Sequence, residues 1–196
     1  MFAFLKKKIF LIGESVALAI ILLGCSSDKI SVQTMKTSTI FAMDTVMELE
    51  IAGDEKLLSE AEEKIRDLES RLSVTNNESE ISILNQDKEA YISNDTCEIM
   101  SGALSICNET DGALDISIYP ILKEWGFTTG EYKVPDDNRI AELLKEVDYK
   151  KIDIVTGKKE SATTGNTDDK NDLFVQIPDD MEVDMGSVVK GYTSTM

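Results

Sequence analysis

A mixed fold, with strands packed against helices, is what this chain of 196 residues predicts. Two patterns carry that prediction. Met47, Leu49 and Ile51 alternate with Val46, Glu48 and Glu50, the period-two signature of a half-buried strand. Leu57, Leu58, Ala61, Ile65, Leu68 and Leu72 then recur at helical spacing and mark the clearest helix in the sequence. The length bounds the chain at one domain or one and a half. A hydrophobic fraction of 42%, with 29% charged and 6% aromatic residues, suffices for a sizeable core.

The elements follow in order. Lys6, Lys7 and Lys8 form a positive leader, Ile9 to Leu23 is apolar apart from Glu14, and Leu22-Leu23-Gly24-Cys25 is followed by Ser26 and Ser27. This resembles a bacterial lipobox. It predicts a signal peptide over 1–24, lipidation at Cys25, and a location on the extracytoplasmic side of the cell membrane. The alternative is an uncleaved anchor, for which the apolar run is short and broken. Residues 25–38 are polar with little pattern and read as a tether; the domain runs over 39–196.

The first strand ends at Gly53, Asp54 caps the helix that runs to Arg71, and Ser79 starts a short helix through Asn85. Asp95 is expected to cap the next long helix, whose apolar face is Ile99, Met100, Ala103, Leu104, Ile106 and Cys107. Cys97 and Cys107 on one helix lie roughly 15 Å apart, beyond disulfide reach, which predicts two separate buried thiols. After a glycine-containing loop come a helix over about 138–147, a strand over 151–155, a long exposed hairpin loop over 157–172, and a returning strand over 173–177. Residues 181–192 read as a strand, a sharp turn at Gly186, and a helix entered at Ser187. That last helix has few partners in the sequence given, so the folding unit is expected to be incomplete.

Charge and composition exclude several classes of function. A formal net charge of −17 opposes binding to nucleic acid. Any anionic nucleotide bound here needs a metal ion or a local lysine to offset the repulsion. Histidine is absent, which removes Ser-His-Asp, Cys-His and His-ligated zinc schemes from this chain.

Two segments concentrate residues suited to chemistry. In Thr110 to Phe127, the Asp111-Gly112 pair supplies a turn with a positive-φ residue, and Asp115 lies among apolar neighbours, where a carboxylate is costly without a partner. Trp125-Gly126-Phe127 sets two rings around a residue with no side chain, where a backbone or a ligand can approach closely. The plain alternative is a turn followed by a core strand. In Asp184 to Tyr192, an aspartate, a glycine turn, Ser187 at a helix start and Lys190 one turn inside suit a phosphate and a hard cation. The plain alternative there makes Ser187 an N-cap and Lys190 a solvated helix residue. The spacing is not that of a Walker A loop.

Four blocks stand in the order and rough spacing of the FAD:protein FMN transferases, the ApbE-type lipoproteins: Phe41 to Met47, Leu72 to Asn85 with Ser79-Glu80-Ile81, Thr110 to Phe127, and Asp184 to Tyr192. The chain resembles that family from about Thr39 onward. The resemblance implies an α+β architecture of the T-fold type, a mixed sheet with packed helices. It also implies Mg²⁺-dependent transfer of FMN from FAD to a Ser or Thr hydroxyl on a flavin-accepting subunit of a redox complex. FAD hydrolysis, flavin binding without turnover, and an inactive fragment are the alternatives. Carried onto this sequence, the nucleotide-binding positions are Met43, Thr75, Ala113, Leu114, Asp115, Asp184 and Lys190, and the position that helps hold magnesium is Ser187. Three positions depart from the family pattern: Thr75 stands where many members have a flavin-stacking tyrosine, Asp44 where glycine often follows the methionine, and Tyr119 where glycine commonly precedes the proline. The family's histidine-bearing strand and its main magnesium cluster are expected to lie beyond these residues.

Overall fold

Strand β1 (Met35–Ala42) and strand β2 (Thr45–Ala52) pair as a two-stranded sheet. Only Met43 and Asp44 join them, a connection short enough to force an antiparallel hairpin. Both residues hold positive φ, 51° and 56°, as a type I′ turn requires. The computed structural model describes residues 35–157 and 172–194. The predicted signal peptide, Cys25, most of the predicted tether and most of the predicted exposed loop lie outside the described residues. Residues 35–38, assigned above to the tether, belong to paired strand β1. In β2 the predicted alternation holds, with Met47, Leu49 and Ile51 turned inward and Val46, Glu48 and Glu50 exposed.

Helix α1 (Glu55–Leu72) starts where Asp54 accepts a hydrogen bond from the Lys56 amide at 3.1 Å. Its buried face is Leu58, Ile65, Leu68 and Leu72, while Leu57 is exposed. Helix α2 (Glu80–Asp87) begins at the predicted cap: the Ser79 hydroxyl accepts from the Ser82 amide at 2.9 Å and donates to the Ser73 carbonyl at 2.5 Å. One buried hydroxyl thus closes the α1 exit and opens α2.

Residues Glu89–Ile92 form a strand, β3, which the sequence analysis did not identify. Helix α3 (Asn94–Glu109) is capped by Ser93, whose hydroxyl accepts from the Thr96 amide at 3.3 Å. Asp95 is instead drawn sideways into ion pairs with Lys64 at 2.5 Å and Arg71 at 3.8 Å on α1. Ile99, Met100, Ala103 and Cys107 form the buried face of α3, but Ile106 is exposed. Cys97 and Cys107 are both free; only Cys107 is buried, and that burial raises its thiol pKa.

The 110–127 segment turns at Asp111 (φ 50°) and Gly112 (φ 80°), then enters helix α4 (Tyr119–Trp125) with Pro120 in its first turn, rather than a core strand. Gly126 ends α4 at φ 80°, and a Cβ there would collide with the Glu131 carbonyl. The close approach foreseen at Trp125-Gly126-Phe127 is therefore made by backbone. Helix α5 (Asp137–Leu143) follows its Asp136 cap, and a 3-10 turn at Tyr149–Lys151 leads into β4 (Asp153–Gly157).

Strand β5 (Asp172–Gln176) lies between β3 and β4, antiparallel to both. The register aligns Ala90, Val175 and Ile154 on the core face and Tyr91, Phe174 and Val155 on the other. Residues 181–185 keep a period-two pattern, with Met181, Val183 and Met185 buried, yet make only a bridge from Glu182 to Ile118. They are an extended segment rather than the expected strand. Helix α6 (Gly186–Thr193) follows, packed against α1 and α3. The core runs from the hairpin through α1, α2 and α3 to Val175, Met181, Val183 and Met185.

Candidate functional site

The two segments singled out in the sequence meet. The Asp184 amide donates to the Ile116 carbonyl at 2.8 Å, and Glu182 bridges to Ile118, so the extended segment before α6 lies alongside the residues after the Asp111-Gly112 turn. Lys123 on α4 adds an ion pair to Glu182.

Asp115 has the partners that its apolar setting required. Its Oδ1 accepts from the Ser117 amide at 2.8 Å and from the Ser117 hydroxyl at 2.6 Å, and its Oδ2 from the Tyr149 amide at 3.2 Å. Ser117 is fully buried, and its hydroxyl oxygen accepts in turn from the Asp148 amide at 2.9 Å. This carboxylate ties the loop to the 3-10 turn before β4. Leu114 is half-buried against the core and Ala113 is exposed.

Asp184 is placed differently. Its Oδ1 accepts from the Gly186 amide at 2.9 Å, which folds the turn into α6, and no donor among the described residues meets its other oxygen. Burial raises its pKa above the ordinary carboxylate range, against the opposing pull of the Gly186 amide and the Lys190 charge. The N-cap of α6 is Met185, with no side-chain cap. Ser187 therefore sits inside the first turn, exposed, and is not the residue that caps it; Lys190 is exposed on the next turn. With the Gly186 amide taken by Asp184 and the Val188 amide by the Met185 carbonyl at 3.1 Å, the Ser187 amide has no acceptor among the described residues and can meet an anion.

The hairpin brings Met43 into the same core. Its side chain is buried, and its amide donates to Glu69 Oε1 at 2.5 Å, which anchors the positive-φ turn to α1. Asp44, the position where glycine often stands, carries the second positive φ. Thr75 is exposed in the α1–α2 link, its hydroxyl 3.0 Å from that of Ser73. A separate cleft of about 290 Å³ opens beside the Ile118–Glu182 bridge, lined by Lys88, Pro120, Lys123 and Arg139 among others. None of the site residues foreseen from the sequence lines it.

A family model described as the ApbE family matches residues 43–195. The chain belongs to the ApbE family. Solved ApbE structures agree with the fold. Over 82% of this chain, the ApbE protein of Thermotoga maritima superposes with a TM-score of 0.67 at 23% identity. The flavin transferase ApbE of Vibrio cholerae gives 0.64 at 20% identity, and the flavinyl transferase ApbE of Pseudomonas stutzeri, in its apo form, 0.65 at 18%. Each match covers 50% of the solved chain, so this chain spans about half the length of the ApbE structures it resembles. No match is found among curated proteins. The ApbE architecture here is the α+β fold expected, with mixed helices and antiparallel sheets.

Sequence reasoning passed over two buried residues beside the candidate site, Ser117 and Asn85. Ser117 is fully buried in the Asp115 network, and Asn85 is buried on α2. Asn85 lies on the same helical face as Ile81 and Leu84, so an amide at a core position was the signal available.

Proposed function

We propose that this chain is part of an enzyme that transfers FMN from FAD to a Ser or Thr hydroxyl of a flavin-accepting subunit in a redox complex. The observation that supports the reading most is the junction of the two segments. The Asp184–Ile116 hydrogen bond sets a half-free carboxylate, the start of α6 with its Ser187 amide, and Lys190 beside the 110–118 turn, within a fold that solved flavin transferases share.

Such a corner suits the FAD pyrophosphate. The Ser187 backbone amide and the Lys190 ammonium favour negative charge, and local positive charge is what an acidic chain requires for an anionic ligand. In the reaction, the acceptor hydroxyl oxygen bonds to the FMN phosphorus and gives up its proton to solvent, the pyrophosphate P–O bond breaks, and AMP leaves with the bridging oxygen. The protein's part is positioning and charge neutralisation. Asp184 and Ser187 offer hard oxygen atoms that fit magnesium as part of a donor set, the remainder being phosphate oxygens and water. No group of three or more acidic or thiol side chains suited to a metal occurs among the described residues. Bound there, magnesium supplies charge neutralisation at the pyrophosphate. Met43 and the 113–115 turn form the flavin and nucleotide walls in this reading, and Thr75 marks a site without aromatic stacking.

The Cys25 lipobox adds a lipid anchor on the extracytoplasmic side of the membrane. Palmitate labelling that survives Cys25→Ser would remove it. For the activity, the protein is incubated with FAD, magnesium and an acceptor domain, and the products are separated on a denaturing gel. A fluorescent flavin band on the acceptor, with AMP released in step, is the expected result. AMP without a labelled acceptor assigns hydrolysis instead, and bound FAD with neither product assigns a binding protein. No FAD binding at all rejects the site.

A further inference from the structure

We infer that Asn85 is a positioning residue for Asp184. It lies in the last turn of α2, 8% exposed, and grips the backbone of Val183 with both ends of its amide. Its Nδ2 donates to the Val183 carbonyl at 2.8 Å, and its Oδ1 accepts from the Val183 amide at 2.7 Å, across 98 residues of sequence. Only this orientation of the amide satisfies both groups.

The bond has a reason in the backbone. Residues 181–185 lie in no sheet ladder, yet Val183 is fully buried. A buried peptide group without a ladder partner must find its hydrogen bonds elsewhere, and the Asn85 side chain supplies the donor and acceptor that a neighbouring strand otherwise would. Lys88, one turn on, adds a second tie. It ends α2 at φ 64° and its Nζ donates to the Met181 carbonyl at 2.9 Å. On the opposite side, the next amide, that of Asp184, goes to Ile116. Residue 184 is thus held between α2 and the 110–118 turn, and its carboxylate leaves that grip at one fixed place.

The inference rests on the proposed role of Asp184 in holding FAD, and the test separates the two. FAD itself is the probe, titrated by fluorescence quenching against the full chain. The proteins are the parent, Asn85→Asp, Asp184→Ala and the double variant. Asn85→Asp keeps an acceptor for the Val183 amide but sets an oxygen against the Val183 carbonyl. We expect FAD binding about tenfold weaker in each single variant, the loss of roughly one charge-assisted hydrogen bond. The double variant should be no weaker than Asp184→Ala, because residues acting through one another are not additive. Ile99→Val, a core change on α3, serves as a control that lowers stability without altering FAD affinity. If Asn85→Asp does not fold, Lys88→Met removes the outer tie at a half-buried position; a loss of about threefold that vanishes in the Asp184→Ala background carries the same conclusion. If Asp184→Ala weakens binding while Asn85→Asp and Lys88→Met have no effect or add fully, the positioning role is wrong and the site stands. If Asp184→Ala leaves FAD affinity unchanged, the site itself falls and the inference with it.

Discussion

Asp115 and Asp184 are carboxylates in opposite circumstances. Asp115 meets three donors from its own loop and the 3-10 turn, so its work is to hold the fold of the 110–118 segment. Asp184 meets one among the described residues, is held at a raised pKa by burial, and has a second oxygen that no donor there reaches. A carboxyl whose pKa is higher in the folded than in the unfolded chain loses stability as pH rises through the interval between the two values. There the folded chain still holds the proton that the unfolded chain has released. Asp184→Asn retains the acceptor for Gly186 and removes that loss. The variant should melt above the parent at about pH 7 and lose this advantage at about pH 3, below the usual carboxylate range; an equal difference at both would contradict the assignment. Asp44 offers a second test. It stands at φ 56° in a turn where glycine fits without strain. Asp44→Gly should raise stability by about 0.5–1 kcal/mol, read from urea midpoints at constant slope.

Caps and glycines decide where the elements begin and end. Ser79 caps α2 as foreseen, but at α3 two good capping residues compete. Ser93 wins because Asp95 has the stronger alternative of Lys64 and Arg71 on α1. The end of α4 is set by Gly126, where positive φ combines with a collision between any Cβ and the Glu131 carbonyl. Gly126→Ala should therefore cost at least about 2 kcal/mol by chemical denaturation, whereas the same change at Gly102, where nothing lies within 4 Å, should be neutral or stabilising. Equal effects at the two sites would rule out the collision. Strand β3 exists through its partner: its four residues pair with 173–176, and so short a segment has little local signal.

At the scale of the whole molecule the dominant quantity is the net charge of −17. Many of the ion pairs, such as Lys56–Glu60 and Arg139–Glu142, lie at exposed positions and contribute little. Self-repulsion should therefore outweigh them. Raising salt from about 0.01 M to about 0.15 M shortens the screening length from about 30 Å to about 8 Å, and the melting temperature should rise with it. A fall would mean that favourable pairs dominate. Among the described residues no helix is long and apolar enough to cross a membrane. The fold spans about half the length of the solved ApbE chains it resembles.

The sequence by itself determined the elements whose signals are local. Periodicity carried β2 and α1, the Ser79 cap started α2, and the Asp111-Gly112 turn stands where its residues require it. The antiparallel pairing of β4 with β5 was legible because two strand patterns stand on either side of one run rich in turn-forming residues. The family, too, was legible, since its blocks are short runs in fixed order. What only the tertiary structure decided depends on contacts distant in sequence: β3 against β5, Asp95 taken by α1, Asn85 gripping Val183, and the Asp184 amide on Ile116. The physical reason is common to all of them. A polar group chooses its partner by what burial brings within about 3 Å of it, and that neighbour can lie anywhere along the chain.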